Sequence, residues 1–137
     1  MIVKISTAVR TDRVAAIRAA IDADANPGYI EFYDGTQPPI GGDAITTQTL
    51  MGTLVFSTIS GSETGGQLVF NAINDDVSAD ATGTISWCRI YDGAGTFILD
   101  GDATDTGGTG FVKFNTVNVQ AGGTIKITSA TITDGNA

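Results

Sequence analysis

The sequence predicts a mainly β protein, a jelly-roll-like β-sandwich with one amphipathic helix at its N-terminal end. Three observations carry that reading. Apolar residues recur at helical spacing only once, between residues 11 and 25. From Tyr29 onward the pattern has period two, as in strands with one face turned inward. Clusters of Gly, Asp, Asn and Ser interrupt it about every ten residues, the spacing of a sandwich or barrel.

The helix comes first. Val14, Ile17 and Ile21 stand at i, i+3 and i+7 and form one apolar stripe, and alanines at 15, 16, 19, 20 and 23 favour the helical backbone. These residues predict a helix over about residues 7–25, capped by Ser6 or Thr11. Asn26-Pro27-Gly28 ends it, because proline cannot continue the hydrogen-bond ladder.

In the first strand Tyr29, Glu31 and Tyr33 share one face, and Ile30 and Phe32 the other. Asp34-Gly35 turns the chain, and Pro38-Pro39 with Gly41-Gly42 marks a loop. A second strand covers residues 50–57, with Leu50, Leu54 and Phe56 on one side. A turn cluster at residues 60–66 leads to a third strand, residues 67–73, carrying Leu68 and Phe70 inward. A polar bend follows, and then a strand over residues 83–91. There Ile85, Trp87 and Tyr91 face one way, and Ser86, Cys88 and Ile90 the other. Asp92-Gly93-Ala94-Gly95 makes a hairpin, since Asp-Gly tolerates positive φ. The returning strand covers residues 97–100, a Gly- and Asp-rich loop residues 100–110, and a terminal hairpin residues 111–119 and 124–133. In the last strand the alternation of Ile125 and Ile127 changes phase to Ala130 and Ile132, which predicts a bulge at Thr128-Ser129.

At 137 residues, a single domain over residues 1–137 is expected. Its 16% charged residues fall below the usual level of about 25%, so Thr, Ser, Asn and Gly carry much of the solvent contact. A net charge of −8 argues against nucleic acid and against anionic lipid, both of which are gripped by Lys and Arg. No apolar stretch approaches the ~20 residues that cross a bilayer, nor does the start resemble a secretion signal. One cysteine forms no internal disulfide, and synthesis in the cytoplasm is the simple expectation. The absence of histidine removes Ser-His-Asp and Cys-His catalysis and leaves too few ligands for zinc. No catalytic residue and no cofactor are expected.

Candidate sites remain. Asp100, Asp102 and Asp105 lie in a glycine-rich stretch and are weak calcium candidates, since Ca²⁺ favours flexible carboxylate oxygens. They depart from the EF-hand pattern and equally suit a solvated turn. Asp75, Asp76 and Asp80 form a second acidic group, best read as an exposed bend. Charge is unevenly placed: Lys4, Arg10, Arg13 and Arg18 against Asp12 give the first 18 residues +3, leaving −11 for the rest. Arg10, Arg13 and Arg18 are therefore the candidate partner contacts, either for an acidic protein or for another copy. Cys88 is expected to be a buried thiol, and Trp87 a core residue.

Several stretches carry a resemblance: Ile5-Ser6-Thr7-Ala8-Val9-Arg10, Ala16-Ile17-Arg18-Ala19-Ala20-Ile21-Asp22, Ile45-Thr46-Thr47-Gln48-Thr49-Leu50, Leu68-Val69-Phe70-Asn71-Ala72-Ile73, Ser78-Ala79-Asp80-Ala81-Thr82-Gly83-Thr84, Phe97-Ile98-Leu99-Asp100-Gly101, and the ending from Gly122-Gly123-Thr124 to Ile132. Over nearly the whole chain they resemble small virion structural proteins of tailed bacteriophages and prophages. The resemblance implies a virion component, made in the host cytoplasm. The first expectation is a capsid decoration (cement) protein that binds the major capsid protein or another virion protein, in homo-oligomers such as trimers. The alternative is a tail, neck or fibre module that serves assembly or reads a host-surface glycan through exposed rings among Tyr29, Tyr33 and Trp87. A carboxylate-dependent hydrolase is the third.

Overall fold

A computed structural model describes residues 3–135. Helix α1, Thr7–Ile21, begins where Ser6 turns its hydroxyl to the Val9 N–H (3.3 Å), satisfying one of the free donors of the first turn. It stops at Asp22 rather than near residue 25. The Asp22 carboxylate accepts the Ser60 N–H (3.1 Å) and an Arg18 contact (3.3 Å), which pulls the chain off the helix axis. Asp24 then bonds the Asn26 N–H (2.8 Å) and shapes the turn into the sheet. Val14 and Ile21 are buried, with Ile17 packed beside them.

Ten strands follow: β1 Tyr29–Tyr33, β2 Leu50–Val55, β3 Gly61–Thr64, β4 Gln67–Phe70, β5 Gly83–Thr84, β6 Trp87–Tyr91, β7 Phe97–Asp105, β8 Val112–Phe114, β9 Asn118–Val119 and β10 Ile127–Thr133. Eight form one sheet in the order β2-β1-β6-β7-β8-β10-β4-β3, and β5 pairs with β9. The mainly β architecture with one N-terminal helix is as the sequence predicts. The sheet is mixed, because β8 lies parallel to β7 while its other pairings are antiparallel. It also curls so that its inner face meets itself. Phe32 of β1 packs edge-on against Phe114 of β8 (5.0 Å), and Phe56, just beyond β2, stacks on Phe70 of β4 (5.2 Å). That concave side holds the core, from Ile30, Leu54 and Ile90 on one half to Leu68, Val112 and Ala130 on the other.

Several stretches differ from the pattern reading: the strand expected over residues 67–73 ends at Phe70, the one expected over 111–119 divides into β8 and β9, and three more differ as follows. Residues 61–64 are strand, not turn: β3 and β4 are joined by Gly65-Gly66, both at positive φ (59° and 79°), which matches the twist of the flanking strands. Residues 100–105 extend β7, because Asp100 and Asp102 point to a sheet face and pair across it with Arg89 and Trp87. Residues 83–91 are two strands, split where Ile85 N–H turns to the Val117 carbonyl (2.9 Å). The bulge expected at Thr128-Ser129 is present as a register shift between Ile127 and Ser129. A second bulge, between Phe32 and Tyr33, lets Met51 turn inward as well as Leu54.

Candidate functional site

The convex side of β1, β6 and β7 gathers the richest side-chain chemistry in the chain. Register places Tyr29 opposite Tyr91, Glu31 opposite Arg89 and Tyr33 opposite Trp87; Arg89 in turn faces Asp100, and Trp87 faces Asp102. All three tyrosines and the one tryptophan therefore share a single face. Tyr29 stacks on Tyr91 (4.9 Å between centroids) and Tyr33 on Trp87 (4.7 Å). Between the two stacks lies Arg89. Its Nε and Nη2 donate to Asp100 Oδ1 (2.6 Å) and Oδ2 (2.8 Å), a bidentate fork, and its guanidinium carbon lies 5.2 Å from the centroid of the Phe97 ring.

This ion pair is sealed. The Arg89 side chain is 6% exposed and that of Asp100 1%. The cover is the connection between β1 and β2, residues 34–49, which carries no helix or strand. It is strapped down at its start and in its middle. The Asp34 carbonyl accepts Trp87 Nε1–H (3.0 Å), the Gly35 carbonyl accepts the Ser86 hydroxyl (2.6 Å), and Gly42 N–H donates to Asp100 Oδ2 (3.0 Å). At Gly42, φ is 84° and the Phe97 ring lies where a side chain would begin, so a β-carbon there would be strained twice over.

The electrostatics follow from burial and pairing. The Asp100 hydrogen bonds push the Arg89 pKa up and outweigh its desolvation. Burial, and then the bond from its hydroxyl to Glu31 Oε2 (2.6 Å), push Tyr33 well above the usual phenol range. Tyr29 and Tyr91 are raised as well, by burial first and then by the Glu31 charge. The face is thus neutralised from within and acts as a clamp that fixes β6, β7 and the strap.

Asp100, a calcium candidate from its sequence neighbourhood, has its oxygens committed to Arg89 and Gly42. Asp102 Oδ1 accepts the Phe111 N–H (3.3 Å) and Asp105 Oδ1 the Gly107 N–H (3.0 Å). Along β7 Asp105 falls on the face opposite Asp100 and Asp102, so the three do not converge. Among the described residues no group of three metal-ligating side chains comes together. Asp75 pairs with Lys126 (3.7 Å), and Asp76 caps Ser78 N–H (2.9 Å) and Thr53 N–H (3.2 Å).

The three arginines of the helix reach toward the chain's own body. Arg10 Nη2 donates to the Gly65 carbonyl (3.2 Å), Arg13 pairs with Asp134 (3.3 Å), and Arg18 pairs with Glu63 and Asp22. The charge asymmetry seen in the sequence is thus used to dock the helix on β3, β4 and the end of β10. Cys88 of β6 is buried in the core, and burial pushes its thiol far above the usual range, away from the reactive thiolate. Trp87 is buried as expected, but on the convex face under the strap.

Sequence reasoning missed the Arg89–Asp100 pair. Its signal was present: counting back from the Asp92-Gly93-Ala94-Gly95 hairpin brings the two side chains opposite, once one extra residue at Ile98 is allowed. The strap left no such signal, because nothing periodic marks residues 34–49. Searches against protein-family models, curated proteins and solved structures give no significant match.

Proposed function

We propose that this chain is a virion structural protein of a tailed bacteriophage, a capsid decoration protein that acts by adhesion rather than catalysis. The observation that carries the reading is the placement of exposed aliphatic side chains on a closed body. Ile40 is 66% exposed, Ile59 61% and Val77 74%, and each sits in a different connection. Both ends of the sheet are covered, β2 by residues 74–80 and β3 by the helix arginines and its own Glu63. Such a body resists edge-to-edge growth while offering several small apolar contacts. Modest contacts repeated over many copies suit a protein that braces joints between capsid subunits.

Ile40→Asp, Ile59→Asp and Val77→Asp leave the core intact and are expected to lower the amount of this chain on purified particles. Full occupancy by all three variants removes the proposal. Copy number tests it directly: a decoration protein is present in proportion to the capsid lattice, whereas a neck or fibre module is present in a few copies. The glycan-reading alternative has less support, because Tyr33 and Trp87 are buried and Tyr29 already stacks on Tyr91.

A further inference from the structure

The aromatic clamp on the convex side ends in a ring that is only half buried. Register sets Val55, Tyr29 and Tyr91 side by side on one rung across β2, β1 and β6. Tyr29 and Tyr91 stack 4.9 Å apart with 22° between their planes. That separation matches the spacing of neighbouring strands, so the stack runs along the rung and each ring turns its second face outward along it. For Tyr91 that side belongs to Phe97, its partner in β7. For Tyr29 it belongs to Val55, which is short and 39% exposed. The Tyr29 hydroxyl leans the other way, to 3.4 Å from where a side chain at Gly95 would begin. One tyrosine face therefore stands open above Val55.

Charge selects the occupant. Within the clamp Arg89 and Asp100 cancel, and Glu31 is left as the unmatched charge. Glu31 Oε2 accepts the Tyr33 hydroxyl (2.6 Å), while Oε1 carries no hydrogen bond among the described residues. Opposite Glu31 on β2 is Thr53, whose N–H is held by Asp76 (3.2 Å), so a second carboxylate stands at the edge of the same rung. Arg89 is the only basic residue in β1, β2, β6 and β7, and Lys126 pairs with Asp75 (3.7 Å). A cation is drawn to a tyrosine face, and a guanidinium can lie flat on it while donating to a carboxylate. The fold already shows that arrangement once, where Arg89 lies against Phe97 and forks to Asp100. Tyr29 and Glu31 offer the same two parts without the arginine.

We propose that Tyr29, Glu31 and Val55 form a docking site for an arginine side chain of another protein, which lies on the open Tyr29 face over Val55 and donates to Glu31. This chain's own four arginines are all bonded to its own body, so the partner is a different protein. The inference goes beyond the virion reading and does not depend on it, since particle occupancy tests that reading separately.

The probe is an acetylated and amidated peptide of alternating glycine and arginine, titrated into the isotopically labelled full chain and followed by NMR. Saturable shifts centred on Tyr29, Glu31 and Val55 are expected. The same peptide with citrulline in place of arginine keeps the shape but loses the charge, and is expected to bind at least about tenfold more weakly. Glu31→Gln and Val55→Lys are each expected to weaken binding of the arginine peptide at least about fivefold, the second by setting a cation beside Tyr29 at an exposed position. Asp12→Asn, which removes an exposed carboxylate on α1, is expected to change it less than about twofold. Shifts spread over the acidic surface without saturation, equal binding by the citrulline peptide, unweakened binding to Val55→Lys, or equal losses from Asp12→Asn and Glu31→Gln each overturn the proposal. So does maltohexaose shifting the same residues while the arginine peptide does not, which would make the rung a sugar site.

Discussion

Arg89 and Asp100 form the pair whose loss should be felt most. Two charges taken out of water are tolerated because each satisfies the other, so removing one strands its partner. Arg89→Met is therefore expected to cost about 3–5 kcal/mol in urea unfolding, whereas Arg89→Met with Asp100→Leu restores much of that loss. Equal destabilisation by the single and the double change would mean that packing, not charge, makes the contribution. The tyrosines give a pH reading of the same face. Each folded pKa is raised above the ordinary 10.0, so the phenols contribute stability that is full below that value and lost as pH rises through the folded values. Ultraviolet titration of the native protein should show all three ionising later than in urea. A tyrosine that titrates normally in the folded chain would contradict the sealed geometry.

At the scale of elements, turns and edges decide what the strands do. The β3–β4 hairpin rests on two glycines at positive φ, and Gly65 has no neighbour within 4 Å where a side chain would begin. Gly65→Ala thus isolates the backbone cost, about 1–2 kcal/mol in a thermal melt, and Gly65→Asn should cost less, because Asn enters that region more readily. The β6–β7 hairpin depends on Asp92, whose carboxylate accepts the Thr96 N–H (2.7 Å) and the Ala94 N–H (3.0 Å). These bonds hold its pKa below the ordinary carboxylate value. The sign is that of a depressed acid: its contribution is present above the ordinary value and lost as pH falls through the folded one. Amide exchange at Ala94 and Thr96 should accelerate in acid before the core strands open, and an Asp92→Asn variant should show no such step. At β2 the free edge is closed by Asp76, which bonds Thr53 N–H. Asp76→Ala should cost about 1–3 kcal/mol and raise the tendency to aggregate, measured by light scattering.

For the whole molecule, the sequence by itself determined the mainly β class, the amphipathic stripe of α1, the inward residues of β1 and β4, and the bulge in β10. All of these are written in spacings within one segment, since a helix repeats at 3.6 residues and a strand at two. Only the tertiary structure decided how the charges are spent. Arg10, Arg13 and Arg18 read in the sequence as one basic face, and the fold brings Gly65, Asp134 and Glu63, far along the chain, against them. Asp100 read as a metal candidate, although the local hairpin, once its bulge is counted, sets Arg89 across from it; what only the fold supplied is the strap that seals the pair. The strap over residues 34–49 and the curl that sets Phe32 against Phe114 likewise have no local signature. Each depends on which distant segments meet, and periodicity along a chain holds no information about distance across it.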